Sequence, residues 1–523
     1  MQEGEQVIEG FRLAPQQKQI WELQKDGATY HSQVAVLIEG DLESRALDEA
    51  LKKIRRKHEI LRTALDWFPG LDTPIQMILE DSGAPCRKID LSDRSGEESD
   101  GALEELLREE ARPFELKRGQ LMRCCLVRLS ASRHILVISL HALCADSWTL
   151  RNLFREVSRF YAAELEGQEL LEEAVQYLQF SEWQHELLEE LNEEIEAREQ
   201  EAGRPDPDLI LPLEFDPAGA PELQRHHFAP EFITLRFDWP MARRIEAVSD
   251  ACHSPVSGFL LACWQILLWR LSAKEEILTE YLFDGRPFEK LHGALGLFAG
   301  YVPVRGIFGH DPRFDEAVER ALKSLDQAFE LREFSLHEMV SGRARNRVQA
   351  IGFEYEEWPE SQSAGSAKFT YWRQRSCIGR FKLKLGIYRT ANCLTVDLQY
   401  DSALFSRESV GLIGERYLRL VESAASDRKA LIGDLQIIGR RELETLLYAW
   451  NKTEQRLTVL RPVHDLIGEQ ARLRPESIAV IYRDEQLCYL ELEIRANRLA
   501  HHLRAQGVGP DCVVSPPLSI RKR

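Results

Sequence analysis

The segment ILVISLHALCADSWTL, residues 135–150, constrains the fold more than any other part of this chain of 523 residues. Residues 135–140 are nearly all apolar, which is typical of a strand buried on both faces. From Leu150 onward, apolar residues recur at the spacing of one helix face. His141 and Asp146 therefore fall on the loop between a strand and a helix, where catalytic and binding groups are often mounted.

The rest of the chain alternates strand and helix patterns in two halves. A strand over 34–40, a helix over 42–62 and a strand over 124–130 precede the opening segment, and the second half repeats this plan. The segments 381–390 and 392–405 alternate apolar and polar residues, which predicts a hairpin. Since single cores rarely exceed about 250–300 residues, the sequence predicts a mixed α/β protein with two lobes and a short C-terminal piece.

Charge and composition exclude some classes of partner. The net charge of −18 and pI of about 5.4 argue against nucleic acid or an anionic membrane surface. The ten cysteines include no CxxC pair, as expected for a reduced cytoplasmic protein. MQEGEQVIEG is polar and is not expected to be a secretory signal, and the apolar run Gly258–Leu271 is too short to span a bilayer.

The segment around His141 resembles the HHxxxDG core motif of the condensation domains of nonribosomal peptide synthetases. His141 takes the first histidine, Asp146 the aspartate and Ser147 the glycine, whereas Ala142 stands at the second histidine. In that family, the second imidazole faces the reaction channel and handles or positions the amine of the substrate. Alanine can do neither, because its side chain has no donor or acceptor.

Five further segments match the family in the right order. Leu13–Gln24 resembles the opening motif and Arg56–Thr63 the motif RHExLRT, while residues 174–184 match more loosely. Gly285 and Arg286 match the pair GR, and Gly296–Arg305 matches GxFVNTxPxR. The last match has Gly300 and Tyr301 where the family favours Asn and Thr. The two late motifs of the family are not recognisable.

The resemblance implies two lobes with the fold of chloramphenicol acetyltransferase, in a V arrangement with a channel between them. Its implied divisions are an N-terminal lobe over 1–180, a C-terminal lobe over 181–440 and a linker over 441–465. It further implies that Arg62 and Arg305 support the core loop, at least one arginine of this kind pairing with Asp146. The residues expected along the channel are Ser147, Gly296, Gly300 and Tyr301.

Residues 466–523 resemble the start of an adenylation domain. Leu487–Leu492 stands for the first motif of that domain, LTYxEL. The glycine-rich phosphate loop and the catalytic lysine of such domains do not occur in this sequence. We therefore expect a truncated fragment that cannot itself activate an amino acid.

The resemblance implies amide bond formation between a carrier-bound aminoacyl thioester donor and a carrier-bound amine acceptor. Phosphopantetheine would arrive on donor and acceptor peptidyl carrier proteins from other synthetase modules, and no cofactor is expected to be bound by this chain. His141 and Asp146 are the candidate catalytic residues. The alternative, suggested by Ala142, is an inactive platform that docks carrier proteins or tailoring enzymes.

Other roles for the loop residues stay open. His141 either points into its lobe, because neighbouring strand residues face opposite sides, or reaches the substrate and replaces the missing base. Cys144 is interpreted as a small apolar filler, the alternative being a nucleophile. Thr149 gives a partial match to the DxxxxDxxS motif of heterocyclisation domains, although the first aspartate of that motif is missing.

Overall fold

The computed structural model describes residues 10–454 and 461–514, apart from 69, 72, 81–84, 95, 171–172, 191–208, 213, 215–227, 310, 331 and 333–348. Contacts divide the chain into two compact units, residues 1–440 and 441–523. Residues 185–190 of the charged helix predicted over 185–204 belong to the described helix α5, and the rest of that prediction lies outside the described residues.

A six-stranded sheet organises the first half of the larger unit. Its strands are β2 (His31–Glu39), β5 (Arg87–Asp90), β6 (Met122–Ser130), β7 (Arg133–His141), β12 (Gln362–Ala364) and β13 (Ala367–Ser376), in the order β12-β13-β2-β7-β6-β5. A smaller sheet has the order β1-β4-β3, from β1 (Gly10–Phe11), β3 (Thr63–Asp66) and β4 (Ile75–Ile78). The helices are α1 (Pro15–Leu23), α2 (Ser44–Lys57), α3 (Gly96–Glu110), α4 (Ser147–Glu166) and α5 (Tyr177–Glu190).

Strand β7 is buried on both faces, as its sequence predicts. Leu136 and Ile138 belong to the main core of this half, whereas Ile135 and Val137 pack with residues of α3 on the other face. A strand in this position needs apolar side chains at every residue, which explains the continuous run. The C-terminal end of β7 is thereby held inside the protein, and the loop that follows it is buried as well.

A second six-stranded sheet organises the other half. Its strands are β8 (Pro230–Phe237), β9 (Glu276–Phe283), β10 (Gly300–Ile307), β11 (Gln349–Glu357), β14 (Phe381–Arg389) and β15 (Leu394–Asp401), in the order β10-β9-β11-β14-β15-β8. The helices of this half are α6 (Trp239–Ala251), α7 (Val256–Ser272), α8 (Phe314–Glu330) and α9 (Arg407–Ser426). Strands β14 and β15 are antiparallel neighbours, as the hairpin prediction requires.

The two faces of the second sheet differ in chemistry, although both are buried. One face contributes residues such as Phe353, Leu385 and Val396 to an apolar core that includes α7. The opposite face carries polar residues that are less than one tenth exposed: Glu280, Glu354, Glu356, Lys384, Asp397 and Gln399. A buried polar face requires partners within the protein, because unpaired polar groups are costly away from water.

Strands β12 and β13 belong to the second half of the sequence but to the first sheet. Strand β13 pairs antiparallel with β2 along most of its length, from Lys368 opposite Glu39 to Ser376 opposite Ser32. The division into lobes over 1–180 and 181–440 follows chain order and does not include this exchange. Hydrogen bonds between β13 and β2 therefore connect the two halves within one unit.

The smaller unit is described over 441–454 and 461–514. It holds α11 (Val463–Leu473), β16 (Ile478–Tyr482), β17 (Glu485–Cys488) and α12 (Tyr489–Ala505), preceded at the boundary by α10 (Arg440–Glu444). Strands β16 and β17 form an antiparallel pair. The LCYLEL segment covers the end of β17 and the start of α12.

No single described helix has the length and hydropathy of a membrane span, and only α6 and α7, bent by 96° relative to each other, meet those criteria as a pair.

Candidate active site

The loop after β7 is a tight turn that leads directly into α4. Ala142–Cys144 form one 3₁₀ turn, and Asp146 is the N-cap of α4. Asp146 Oδ1 accepts a hydrogen bond from Thr149 N at 2.7 Å, which satisfies one of the free N–H groups at the start of the helix. The carboxylate of Asp146 is fully buried.

The remaining contacts of the Asp146 carboxylate come from the second half of the chain. Arg286 Nη1 donates to Oδ2 at 2.9 Å and Nη2 donates to Oδ1 at 3.1 Å. The backbone N–H groups of Phe298 and Ala299 each donate to Oδ2 at 3.0 Å. A buried carboxylate is tolerated only with such partners, so Asp146 joins the motif loop to the segment before β10.

Thr149 strengthens the same junction. Its Oγ1 donates to Gly296 O at 2.7 Å and lies 3.0 Å from Gly296 N and 3.1 Å from Arg286 Nη2, both of which donate to it. A Cβ on Gly296 would lie 2.1 Å from Cδ2 of Tyr177, so the close approach requires glycine. Gly285 has φ +65°, and a Cβ there would lie 1.9 Å from Phe298 O.

The arginine that pairs with Asp146 is Arg286, and the expectation for Arg62 and Arg305 is wrong on this point. Arg62 Nη1 donates to Leu79 O at 2.5 Å, and Arg62 Nη2 lies 3.8 Å from Glu59 Oε1. Arg305 lies near the surface, where its Nη1 is 3.6 Å from Glu276 Oε1. In the sequence, Arg286 stood out only as part of the GR match, which by itself does not indicate its partner.

His141 is buried at the end of β7, on the strand face that carries Ile135 and Val137. Its Nδ1 accepts a hydrogen bond from Leu143 N at 3.1 Å, which in a neutral ring leaves the proton on Nε2. The ring packs edge-on against Phe114, with centroids 5.6 Å apart. Burial, and then the nearby His31 and Arg123, lowers the pKa of His141 to about 3, so the ring is neutral at physiological pH.

Ala142 and Cys144 are both buried in the main core of the first half. The Cys144 thiol donates to His141 O at 3.1 Å, and burial raises its pKa. A thiol that stays protonated is a poor nucleophile, which favours the filler interpretation. Gln17 Nε2, on α1, donates to Leu143 O at 2.7 Å. This hydrogen bond holds the turn formed by residues 142–144 against α1.

The other residues expected along the channel lie at the start of α4 and on β10. Ser147 is fully buried at the start of α4, close enough to Glu356 on β11 for its hydroxyl to lower the pKa of that carboxylate. Tyr301, on β10, has an unpartnered hydroxyl within the described part of the chain, and burial raises its pKa well above the usual value. Its ring packs against Phe381 at 4.9 Å between centroids. Gly300 is the first residue of β10 and pairs with Phe283.

The polar face of the second sheet was missed by sequence reasoning. Lys384 Nζ donates to Glu354 Oε2 at 2.9 Å and to Ser376 O at 3.0 Å, so it bridges β11, β14 and β13. Burial raises the pKa of Asp397 to about 6 and that of Glu356 to about 7. The available signal was the polar alternation on β11, β14 and β15, which is also the pattern of a solvent-facing strand. No described His, Cys, Asp or Glu residues form a cluster suited to a metal ion.

The family model for the Condensation domain matches residues 8–447. Among curated proteins, a subunit of the linear gramicidin synthase of Brevibacillus parabrevis is 28% identical over 522 residues, which is 95% of this chain and 10% of that protein. Tyrocidine synthase 3 of the same organism is 26% identical over 517 residues, which is 97% of this chain and 8% of that protein. The chain thus spans a tenth or less of the length of these relatives.

Solved structures share the fold at lower identity. The X-domain from teicoplanin biosynthesis, solved in complex with OxyB, matches with a TM-score of 0.67 and 21% identity over 82% of this chain and 96% of that one. A four-domain nonribosomal peptide synthetase, AB3403, matches with a TM-score of 0.72 and 17% identity over 96% of this chain and 39% of that one.

Proposed function

Since this chain belongs to the condensation-domain family, we propose that it forms an amide bond between a carrier-bound aminoacyl thioester and a carrier-bound amine. The observation that carries the proposal is the junction at Asp146, where one carboxylate binds Arg286 and the backbone of 298–299. This junction fixes the motif loop against the second half of the chain. A loop held in this way can hold two substrates in a defined relative position.

The reaction is an attack by the amine nitrogen of the acceptor on the carbonyl carbon of the donor thioester. A C–N bond forms, the C–S bond breaks, and the acylated amine stays on the acceptor carrier. Positioning alone can contribute about 7–11 kcal/mol to such a reaction, whereas a positioned base adds about 10²–10⁴-fold in rate. A chain with Ala142 in place of the base can therefore still accelerate the transfer.

His141 supports this reaction through the structure of the loop rather than through proton transfer. Its Nδ1 is occupied by Leu143 N, and its lowered pKa opposes protonation. Asp146 likewise uses both carboxylate oxygens in the junction. We propose that His141 and Asp146 position the motif loop beside the substrate channel. Ser147, Gly296, Gly300 and Tyr301 are proposed to lie along that channel.

The C-terminal unit, residues 441–523, is proposed to be a linker and the first part of an adenylation domain. The LCYLEL match supports this assignment, and so does the likeness to the four-domain synthetase, which extends over 96% of the chain. Donor and acceptor carriers with phosphopantetheine would be the partners of the larger unit, within a cytoplasmic multidomain synthetase.

The second candidate function is a docking platform without turnover. Ala142 favours it, because the residue that handles the amine in the family is replaced. The teicoplanin X-domain, which shares the fold and is found in complex with OxyB, offers a precedent for binding a partner enzyme. A platform would bind carriers or a tailoring enzyme and leave the thioester intact.

The test is a transfer assay with donor and acceptor carriers loaded with aminoacyl pantetheine, followed by intact-protein mass spectrometry. The unmodified chain is compared with Ala142→His, His141→Ala and a reaction without protein. Dipeptidyl product well above the protein-free rate supports the condensation reaction. Product at the protein-free rate, with measurable carrier binding, supports the platform.

A further inference from the structure

A cleft of about 680 Å³ opens to solvent between α6 and α9 in the second half of the chain. Its walls come from the end of β8, the first two turns of α6, the C-terminal half of α9 and Gln436. None of its lining residues takes part in the junction at Asp146. Small-molecule sites in proteins typically have volumes of about 300–1,000 Å³, so this cleft has room for one.

Three arginines line the cleft, and two of them have hydrogen-bond donors to spare. Arg236 is exposed on β8 and has neither a hydrogen bond nor an ion pair within the described part of the chain. Arg244, on α6, donates from Nε to Ala425 O at 3.2 Å, and its two η nitrogens have no partner among the described residues. Each free guanidinium edge presents two parallel N–H groups, which is the pattern that a carboxylate accepts.

The third arginine and the two carboxylates of the cleft are already engaged with each other or with backbone. Arg419 Nη1 donates to Glu422 Oε2 at 3.1 Å, and Arg419 Nη2 donates to Gln436 Oε1. Asp238 is the N-cap of α6, and its Oδ1 accepts from Met241 N at 3.0 Å. Three arginines against two carboxylates leave the cleft with one positive charge, in a chain whose net charge is −18. A monoanion neutralises that charge.

The rest of the lining is largely apolar. Met241 and Leu418 are partly buried and pack on the apolar core of this half, and their remaining surface lines the cleft. Phe237, the last residue of β8, belongs to the same core and also lines the cleft. An apolar wall beside free guanidinium groups suits a ligand that has an apolar body and one anionic head.

We propose that the cleft between α6 and α9 binds an apolar monocarboxylate. Its head group accepts hydrogen bonds from Arg236 and Arg244, and its body packs on Met241 and Leu418. Acyl acids and short peptide acids with apolar side chains share this chemistry. The site goes beyond the proposed condensation reaction, because it lies on other elements than the motif loop.

The position of Arg244 favours binding. Its Nε is held by Ala425 O in the last turn of α9, so the guanidinium is already oriented before a ligand arrives. Ordering a long side chain on binding lowers affinity, and a side chain that is already fixed avoids most of that loss. A ligand on Arg244 and Leu418 contacts both α6 and α9, so it stabilises the folded chain in proportion to its occupancy.

Calorimetric titration of the whole chain tests the proposal with octanoate, octanamide and acetate. We expect octanoate to bind at one site about ten-fold more tightly than octanamide, because charge-assisted hydrogen bonds are stronger than neutral ones. Acetate, which lacks the apolar body, should also bind about ten-fold more weakly than octanoate. N-acetyl-leucyl-leucine and its C-terminal amide form a second pair. The acid that binds more tightly, octanoate or the peptide, identifies the source of the ligand.

Variants locate the site. Arg236→Gln and Arg244→Gln should each reduce the preference for octanoate over octanamide several-fold, and the double variant should lose it. Met241→Ser should weaken both probes and keep their ratio. Arg243→Gln is the matched control, because Arg243 lies next to Arg244 on α6, donates to Glu246 Oε2 at 3.1 Å and does not line the cleft. It should leave the preference unchanged.

Equal affinities for octanoate and octanamide in the unmodified chain overturn the proposal, and so does an unchanged preference in the folded double variant. A loss in Arg243→Gln as large as that in Arg244→Gln overturns it too, because octanoate would then respond only to the overall surface charge. Circular dichroism confirms that each variant is folded. Arg236→Gln decides the matter if the double variant does not fold, since Arg236 has no partner among the described residues.

Discussion

Arg286 and Asp146 stand 140 positions apart in the sequence and form a doubly hydrogen-bonded ion pair, with N–O distances of 2.9 and 3.1 Å. The guanidinium also lies over the ring of Phe298, with its carbon 4.3 Å from the ring centroid. Because both side chains are buried, neither charged group can replace its partner with water. The pair thus holds together the motif loop and the second half of the chain.

Removing one member of this pair should be strongly destabilising. We expect Arg286→Ala to lower the free energy of unfolding by about 3–5 kcal/mol, because it leaves a buried carboxylate without its cation. Arg305→Ala, which removes a half-exposed motif arginine, should cost no more than about 1 kcal/mol. Urea denaturation followed by fluorescence measures both, and equal losses would contradict the assignment of Arg286.

A methyl group at Gly296 should disturb the same junction. The new Cβ would lie 2.1 Å from the ring of Tyr177, so we expect Gly296→Ala to lower stability by about 1–3 kcal/mol. Gly411 on α9 has open space around it, and Gly411→Ala should be neutral or slightly stabilising. Thermal unfolding by circular dichroism compares the two variants, and a tolerated Gly296→Ala would argue against the close approach.

Two buried histidines should make the protein sensitive to mild acid. Burial lowers the pKa of His141 to about 3 and that of His31 to about 4, whereas both take up a proton near 6.5 when unfolded. The unfolded chain therefore binds more protons below pH 6.5, and stability falls as the pH decreases towards 4. Each histidine contributes a slope of up to about 1.4 kcal/mol per pH unit.

Denaturation at several pH values checks the histidine prediction. His141→Asn retains an acceptor near Leu143 N and should show a shallower loss of stability between pH 6.5 and 4. A slope identical to that of the unmodified protein would show that His141 titrates normally in the folded state.

Glu356 should have the opposite pH dependence. Its folded pKa is raised to about 7, so its contribution to stability is complete below about pH 4.5 and is lost as the pH rises through 7. Glu356→Gln, which stays neutral, should stabilise the protein relative to the unmodified chain at pH 8 by about 1–3 kcal/mol, and much less at pH 5. Glu357→Gln is the matched control, and a pH-independent effect of Glu356→Gln would contradict the raised pKa.

Cys144 should be inert to alkylation in the folded protein. It is buried with a raised pKa, whereas Cys512 is exposed. Iodoacetamide followed by peptide mass spectrometry should label Cys512 readily and Cys144 only in denaturant. Cys144→Ala should retain carrier-to-carrier transfer within about two-fold, and a complete loss of transfer in that folded variant would revive the nucleophile hypothesis.

The buried polar face of the second sheet could not be predicted from the sequence, and the reason is physical. The alternation of Thr395, Asp397 and Gln399 on β15 is the pattern of a strand with one face in water, yet that face is buried. The alternation of apolar and polar residues indicates that the two faces of a strand differ. It does not indicate whether water or protein covers the polar face. The same limit applies to Glu356, whose partners come from α4 and β13.

The sequence alone determined the strand, turn and helix around His141 and Asp146, the two-part mixed α/β organisation and the family resemblance, because these depend on local periodicity and on short motifs. The tertiary structure alone decided that Arg286 rather than Arg62 or Arg305 binds Asp146, that β13 pairs with β2, and that Glu356 meets Ser147. Such pairings join residues more than 100 positions apart, and many arrangements satisfy the same local pattern. Only burial and hydrogen bonding in the assembled fold select one of them.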